Sequence, residues 1–453
     1  MRKVLFVAYH FHPDLAVGAL RSVKFAKYLP CFGWDPIVVT VNVDRYERVD
    51  ESPLSFSCRV FRSGEGPTVA ALGNRLRRAL APRRMASVSK RADGLPSTLP
   101  EPGAVWTLPS SFLRRLVALL SMMPDVHVGW LVPGTWLAIR VARQEKVEVI
   151  YTSGPPHTGH LVGWLASRVT GLPLVCDFRD PWSTGGFPPG SGLVSVFRKL
   201  DRWLEMRVVR RAQLVVASTS SIRRELIATH GPALEPRSVT IINGFDAEDF
   251  PVANVPEEAP SAGIVSFVYA GSLYGGREPS AFFLALGELF AEGAIPQSAV
   301  SVDFYGPVDI DASRVVHAIE TYGLKDTVRF RPLVKRQEYL GLVHQADVLI
   351  LMQGDDTPWA IPAKTFEYLA TGNEILVLAG PYALAELVAK YENVHRADPS
   401  DVAEIKRCIS LIVGRIRSGA RDRRKNTQRL GHMHKRELTK EFARLLDGVV
   451  SQR

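Results

Sequence analysis

At 453 residues the chain exceeds the roughly 250–300 residues at which single cores stop growing, so two or three domains are expected. Apolar residues make up 46% and charged residues 23%, with 35 glycines and 31 prolines, which excludes wholesale disorder, collagen and coiled coil. The net charge of +10 is uneven: residues 1–250 carry +11, 251–400 carry −9 and 401–453 carry +8, so the middle differs in kind from both ends.

In chain order, Val4 to Ala8 reads as a short buried strand, cut off by His10, His12 and Pro13 before a signal-peptide core could form. No window offers the roughly 18 uninterrupted apolar residues of a membrane span, and a cytoplasmic home is expected. An amphipathic stretch from Leu20 to Leu29 and a buried run from Pro36 to Val41 complete a strand–helix–strand unit. Residues 62–125 break the alternation and read as an insertion. Within residues 59–91 nine basic side chains stand against Glu65 alone, and the apolar, basic stretch Phe112 to Leu120 follows. That block is either a solvated face or a site for anionic lipid or polyphosphate, and the stretch is either an interfacial helix or one packed on the domain. Charge reversal of Arg77, Arg78, Arg83 and Arg84 is expected to weaken salt-sensitive attachment to anionic vesicles. No helix-turn-helix, zinc-finger or RNP pattern accompanies the charge, so nucleic acid is not the expected partner.

The unit recurs as Val147–Thr152, a helix over Gly159–Val169, Leu174–Asp177, a helix near 192–211 and Leu214–Ser218. Parallel strands with crossover helices predict a doubly wound α/β sheet. After Val239–Ile242, Asn243-Gly244-Phe245-Asp246 and the Pro/Glu-rich Pro251–Pro260 read as a hinge and linker. The alternation then restarts: strands at Ser266–Ala270, Val300–Tyr305, Val328–Phe330, Asp347–Met352 and Ile375–Ala379, with helices over Ser280–Glu292, 312–322 and Lys364–Ala370. Residues 434–450 read as one amphipathic helix. The cysteines Cys31, Cys58, Cys176 and Cys408 lack CxxC spacing, so neither disulfides nor zinc are expected.

Candidate chemistry gathers at strand ends. The loop Phe11–Gly18 joins the first strand to its helix, and Gly18 lets backbone approach a phosphate or sugar closely, or serves plain turn chemistry. Asp177-Phe178-Arg179-Asp180-Pro181-Trp182 ends another strand, with Asp177 and Arg179 read as structural and Asp180 as facing the ligand. His157 and His160 follow Ser153-Gly154-Pro155-Pro156, and His160 either packs a helix or takes part in chemistry. In the second half Ala270-Gly271-Ser272-Leu273-Tyr274-Gly275-Gly276-Arg277 puts a cation and free N–H groups where a diphosphate would sit, and Tyr305-Gly306-Pro307 repeats the strand-then-Gly arrangement. Lys364 and Glu367, one turn apart, are either a surface ion pair or holders of a phosphate and a ribose diol.

Taken in order, FHPD…GALRxxKFAKYLxxFGW, GPP…DFRDPW, INGFD, AGSLY…R and IPAKTFEYLATG resemble retaining glycosyltransferases of family four, of the bacterial polysaccharide type and GT-B fold. The resemblance covers nearly all of the chain outside 62–125. It implies two Rossmann-like domains facing a cleft: an acceptor domain over 1–247, a nucleotide-sugar domain over 262–430, and a last helix over 431–453 crossing back to the first. By motif position Glu367 corresponds to the ribose-binding carboxylate, Arg277 to the diphosphate contact and Gly18 to the close-approach glycine. Gly271, Ser272, Gly306, Val334 and Lys364 complete the expected donor set. Asp180, Arg277 and Lys364 are the expected catalytic groups, and His160 and Arg179 stand on the acceptor side. Two positions depart from the family pattern: Trp359 replaces the first of two glutamates eight apart, and Ser272 replaces an arginine.

The function expected is transfer of a sugar from a nucleotide-diphosphate donor to a lipid-linked or oligosaccharide acceptor. Retention, a place in cell-surface polysaccharide biosynthesis, no cofactor or metal, and attachment to the inner face of the cytoplasmic membrane complete that expectation. A sugar-nucleotide epimerase and a non-catalytic binding subunit are the alternatives.

Overall fold

The computed structural model describes residues 1–50, 52–67, 119–120, 122–184, 192–250, 263–420, 422–423, 427 and 429–452. Most of the basic stretch over 59–91 and of Phe112 to Leu120, including Arg77, Arg78, Arg83 and Arg84, lies outside them. The chain forms two compact units, Met1–Ile242 with Leu438–Arg453, and Asn243–Glu437.

The first unit is built on seven parallel strands: β1 (Arg2–Ala8), β2 (Trp34–Val41), β3 (Arg59–Ser63), β4 (Val149–Gly154), β5 (Leu174–Phe178), β6 (Leu214–Ala217) and β7 (Ser238–Thr240). Their order is β3-β2-β1-β4-β5-β6-β7, so the direction of winding reverses between β1 and β4. β3 takes Arg62 and Ser63 into the sheet, which corrects the expected start of the insertion: Ile37 to Val41 need parallel partners, and Arg59 to Ser63 supply them. The crossovers are α1 (Val17–Tyr28), α2 (Leu131–Glu145), α3 (Thr158–Thr170), α4 (Leu193–Arg211) and α5 (Ser220–His230). Their ends follow local chemistry. Thr219 caps α5 by accepting from the Ile222 N–H at 3.1 Å, and Gly171 closes α3 in the left-handed conformation. Strands buried on both faces read as continuous apolar runs, as β1 does from Val4 to Ala8.

The last helix, α12 (Lys435–Ser451), presents Leu438, Phe442, Leu446 and Val449 on one stripe to the first unit's core. Phe442 stacks on Phe25 with centroids 4.8 Å apart and meets the edge of Tyr151. Beneath it, buried Arg21 donates to both oxygens of fully buried Asp177 at 2.6 and 3.0 Å, and the Tyr151 hydroxyl donates to Oδ2.

The second unit has six parallel strands, β8 (Val265–Ala270), β9 (Val300–Tyr305), β10 (Val328–Arg331), β11 (Val348–Met352), β12 (Glu374–Leu378) and β13 (Val394–Ala397), in the order β10-β9-β8-β11-β12-β13. Winding reverses between β8 and β11. Its helices are α6 (Ser280–Ala291), α7 (Ala312–Thr321), α8 (Arg336–Gln345), α9 (Lys364–Thr371), α10 (Ala383–Val388) and α11 (Val402–Arg417). Asn243 to Asp249 belong to this unit, where Phe245 and Met433 share a backbone hydrogen bond.

Candidate functional site

In open parallel sheets, ligands gather outside the carboxyl ends of strands where the winding reverses. In the second unit that place is the end of β8 beside β11. The β8–β11 ladder pairs only Phe267 with Val348 and Val268 with Leu349, so the strands part before Ala270. Helix α9 fills the gap with two residues one turn apart. The Ala270 N–H donates to the Tyr368 hydroxyl at 3.4 Å, and Lys364 Nζ donates to the Ala270 carbonyl at 3.3 Å while lying 4.0 Å from the Tyr269 ring centroid.

Lys364 has no carboxylate partner among the described residues. Burial and the nearby charge of Arg277 pull its pKa from 10.5 down to about 7. The surface ion pair that is one of the two readings of Lys364 and Glu367 does not form, because their side chains leave α9 toward different neighbours. Glu367 accepts from Arg336 Nη2 at 2.5 Å through Oε1 and from the Tyr339 hydroxyl at 2.7 Å through Oε2. Arg336 also stands 3.5 Å from Asp249. Glu367 is thus an oriented, nearly buried carboxylate, held by a cation and a phenol from α8.

The backbone beside Lys364 is built to be bare. Gly271 has φ of 146°, and a Cβ on it would lie 3.2 Å from Lys364 Nζ. Gly306, at φ of 133°, abuts it: a Cβ there would come within 2.5 Å of the Gly271 carbonyl oxygen. The Gly271 N–H donates to the Tyr305 carbonyl. Ser272 turns its carbonyl to the Tyr269 hydroxyl at 2.9 Å. Arg277 closes the loop with its guanidinium 4.2 Å from the Tyr274 ring centroid. Val334 is half-buried in the loop between β10 and α8. In the loop after β11, Gln353 donates to the Thr357 and Ala360 carbonyls and so fixes the turn that carries Trp359, while Asp355 accepts from Tyr382.

The corresponding place in the first unit lies at the ends of β1 and β4. Arg179 runs across it, donating to the Gly154 and Pro155 carbonyls. A Cβ on Gly18 would collide with that guanidinium, so the close approach at Gly18 is to Arg179. Asp177 is the structural brace described above. Asp180 is half-buried, and burial raises its pKa. His160 is fully enclosed: Nδ1 bonds Thr152 Oγ1 at 2.7 Å, the ring packs on Phe178, and burial lowers its pKa to about 3. That environment keeps the ring neutral. His157 stacks on Trp182, whose indole donates to Asp201.

The second-unit constellation therefore joins Gly271, Gly306, Arg277 and Lys364 with Tyr269 and Tyr368, and sets Glu367 nearby on Arg336 and Tyr339. Those last two were missing from the sequence reading, which assigned no helix to 336–345. Among the described residues no group of three or more His, Cys, Asp or Glu side chains could hold a metal ion, and no helix is long and apolar enough to cross a membrane.

Residues 22–244 match the Glycosyl transferase 4-like domain. No curated protein sequence matches the chain. Among solved structures, HepE of Anabaena in complex with UDP superposes with a TM-score of 0.64 at 14% identity, covering 99% of this chain and 100% of that one. Sucrose-phosphate synthase of Thermosynechococcus elongatus gives the same score and identity over 100% of both chains. The lipopolysaccharide outer core galactosyltransferase WaaB in its apo form gives 0.54 at 12% identity over 98% and 99%. The two-unit α/β architecture is that of GT-B glycosyltransferases.

Proposed function

We propose that the protein is a glycosyltransferase that moves a sugar from a nucleotide-diphosphate donor to a lipid-linked or oligosaccharide acceptor, with retention, in cell-surface polysaccharide biosynthesis. The observation that carries this reading is the uncompensated amine of Lys364 beside Arg277 and the bare backbone of Gly271 and Gly306, at the switch point of the second sheet. Burial and Arg277 depress the amine of Lys364, and an anion bound beside it relieves that cost, which a diphosphate supplies. The match of residues 22–244 to a glycosyl transferase 4-like domain and the UDP held by HepE support a nucleotide-sugar donor.

In this reading Glu367, oriented by Arg336 and Tyr339, accepts from the ribose hydroxyls, and Gly271, Ser272, Gly306 and Val334 line the donor. The acceptor oxygen forms a bond to the anomeric carbon as the bond to the diphosphate breaks. The bonding pair leaves with the diphosphate, and the acceptor's proton passes to a diphosphate oxygen on the same face, which retains the configuration. Arg277 and Lys364 stabilise the charge that grows on the leaving group, so the step needs no enzyme nucleophile and no resident metal. On the acceptor side Asp180 receives a hydroxyl, and Arg179 holds the wall behind it.

The test is a thermal-shift screen over nucleoside diphosphates and their sugars, since a ligand at about a hundred times its Kd adds about 2.7 kcal/mol. Product analysis with and without a lipid-linked acceptor follows. Failure of every nucleoside diphosphate to stabilise the protein overturns the reading; turnover of the donor sugar without any acceptor points to an epimerase instead.

A further inference from the structure

Three successive crossover helices of the first unit, α2, α3 and α4, lie side by side, with α3 against both neighbours. Each carries a tryptophan and, one turn later, an arginine over its ring. The pairs are Trp136 with Arg140, Trp164 with Arg168 and Trp203 with Arg207, at 5.4, 6.0 and 4.9 Å from guanidinium carbon to ring centroid. Right-handed crossovers between parallel strands make the three helices run the same way. On each helix the arginine stands about 6 Å along the axis from its tryptophan, toward the helix C-terminus.

The rest of the outer face continues the pattern. On α2 the exposed stripe is Val132, Trp136, Arg140 and Arg143, with Val132 76% and Trp136 61% exposed. On α4 Val196, Leu200 and Trp203 are 58%, 38% and 41% exposed, with Arg198, Lys199, Arg202 and Arg210 around them. The carboxylates point elsewhere. Asp201 and Glu205, the only acids of α4, are buried, α3 has none, and Glu145 at the end of α2 is paired with Lys3 and Arg59. Exposed aliphatic side chains and tryptophans stand among cations that have no acidic partner among the described residues, and such a mixed apolar and basic face suits the interface of an anionic bilayer, where headgroup phosphates and acyl chains meet. A nucleic acid would engage the cations and leave Val132, Val196 and Leu200 against a charged backbone.

We propose that the outer face of α2, α3 and α4 docks on an anionic phospholipid surface, the tryptophans at the headgroup boundary and the arginines on lipid phosphates. Its residues are other than those of the basic stretch over 59–91, and it does not depend on the transferase reading, because attachment is measured without donor or acceptor.

The test is sedimentation of the full chain with vesicles of phosphatidylcholine, with and without phosphatidylglycerol. The parent should bind the anionic vesicles alone, and less as salt rises. At about 1 kcal/mol for each cation near the surface, Arg202→Glu with Arg207→Glu and Arg210→Glu should weaken binding about a hundredfold. Trp136→Ser with Trp203→Ser should weaken it while leaving the salt dependence as in the parent. Reversal of Arg77, Arg78 and Arg83 should cost less than reversal on α4. All substituted side chains on α2 and α4 are exposed or half-exposed, and thermal melting should show both variants folded. The proposal is overturned if the parent ignores anionic vesicles, if either variant binds as the parent does, or if a single-stranded oligonucleotide displaces the protein from vesicles through the same residues.

Discussion

Lys364 makes the donor's affinity depend on pH in a way that can be worked out from its surroundings. Burial and Arg277 hold it at about 7, so in the free protein near neutral pH it is about half charged. A diphosphate between the two cations supplies the missing counter-charge and returns the amine to its ordinary range of about 10.4. Donor binding is then coupled to proton uptake: about half a proton near pH 7 and close to one by pH 8.5. Affinity falls as pH rises through the folded-state value, and these two pKa values give a loss of about fiftyfold between about pH 7 and about pH 9. The sign for stability runs the other way. The unfolded chain binds the proton more tightly across that window, so the free protein gains stability as pH rises from about 7 toward 10. Calorimetry of donor binding in two buffers of different ionisation enthalpy reads the proton count directly. Lys364→Met, which lacks the titrating amine, should bind at pH 7 more weakly still than the parent does at pH 9, with no uptake. Lys364→Arg, which stays charged, should give a flat profile and controls for titration of the donor itself. A parent that takes up no proton, or a Lys364→Met protein that keeps the parent's slope, refutes the reasoning.

Glu367→Ala should cut donor affinity about 10- to 100-fold, the worth of charge-assisted hydrogen bonds to the ribose, and a 2′-deoxy donor should then bind as the ribose donor does. Arg336 retains Asp249 as a neighbour, so the fold should survive; unchanged affinity by calorimetry sinks the assignment. Arg277→Ala should lower kcat more than it weakens ground-state binding, because leaving-group charge grows in the transition state, and equal losses in the two would reduce Arg277 to an anchor. Arg21→Met leaves fully buried Asp177 without its cation and should cost about 3–5 kcal/mol in urea unfolding; a loss below about 1 kcal/mol would mean the bridge is not what secures Asp177.

The alternation of apolar runs and amphipathic stretches made the two parallel sheets legible, because strands buried on both faces, such as Val348 to Met352, have no other reading once helices separate them. Among the elements that escaped, which include α2, α5, α10, α11 and β13, α8 and β3 did so because their pattern is weak. α8, Arg336-Gln-Glu-Tyr-Leu-Gly-Leu-Val-His-Gln, has only Leu340 and Val343 buried and a glycine inside, so neither its helix nor the pairing of Arg336 and Tyr339 with Glu367 could be seen. β3 begins with an exposed arginine and lies at the sheet edge, where one-sided burial leaves no apolar run, and it vanished into the basic stretch that follows.

At Lys364 and Glu367 spacing left two readings open, and the structure parts them for a physical reason. Lys364 and Glu367 stand three apart on a helix and by that rule should pair, but the rule holds for exposed faces, and α9 is inserted where β8 and β11 part. There the backbone of Ala270 competes for the amine and Arg336 for the carboxylate, and both competitors win because unpaired polar groups in that gap cost more than a surface ion pair returns. The separation of the two charges is what leaves Lys364 short of a counter-ion. An ion pair within α9 would have neutralised a cation that the splayed strand ends hold ready for an anion, so the separation of the two charges and the candidate site have the same cause.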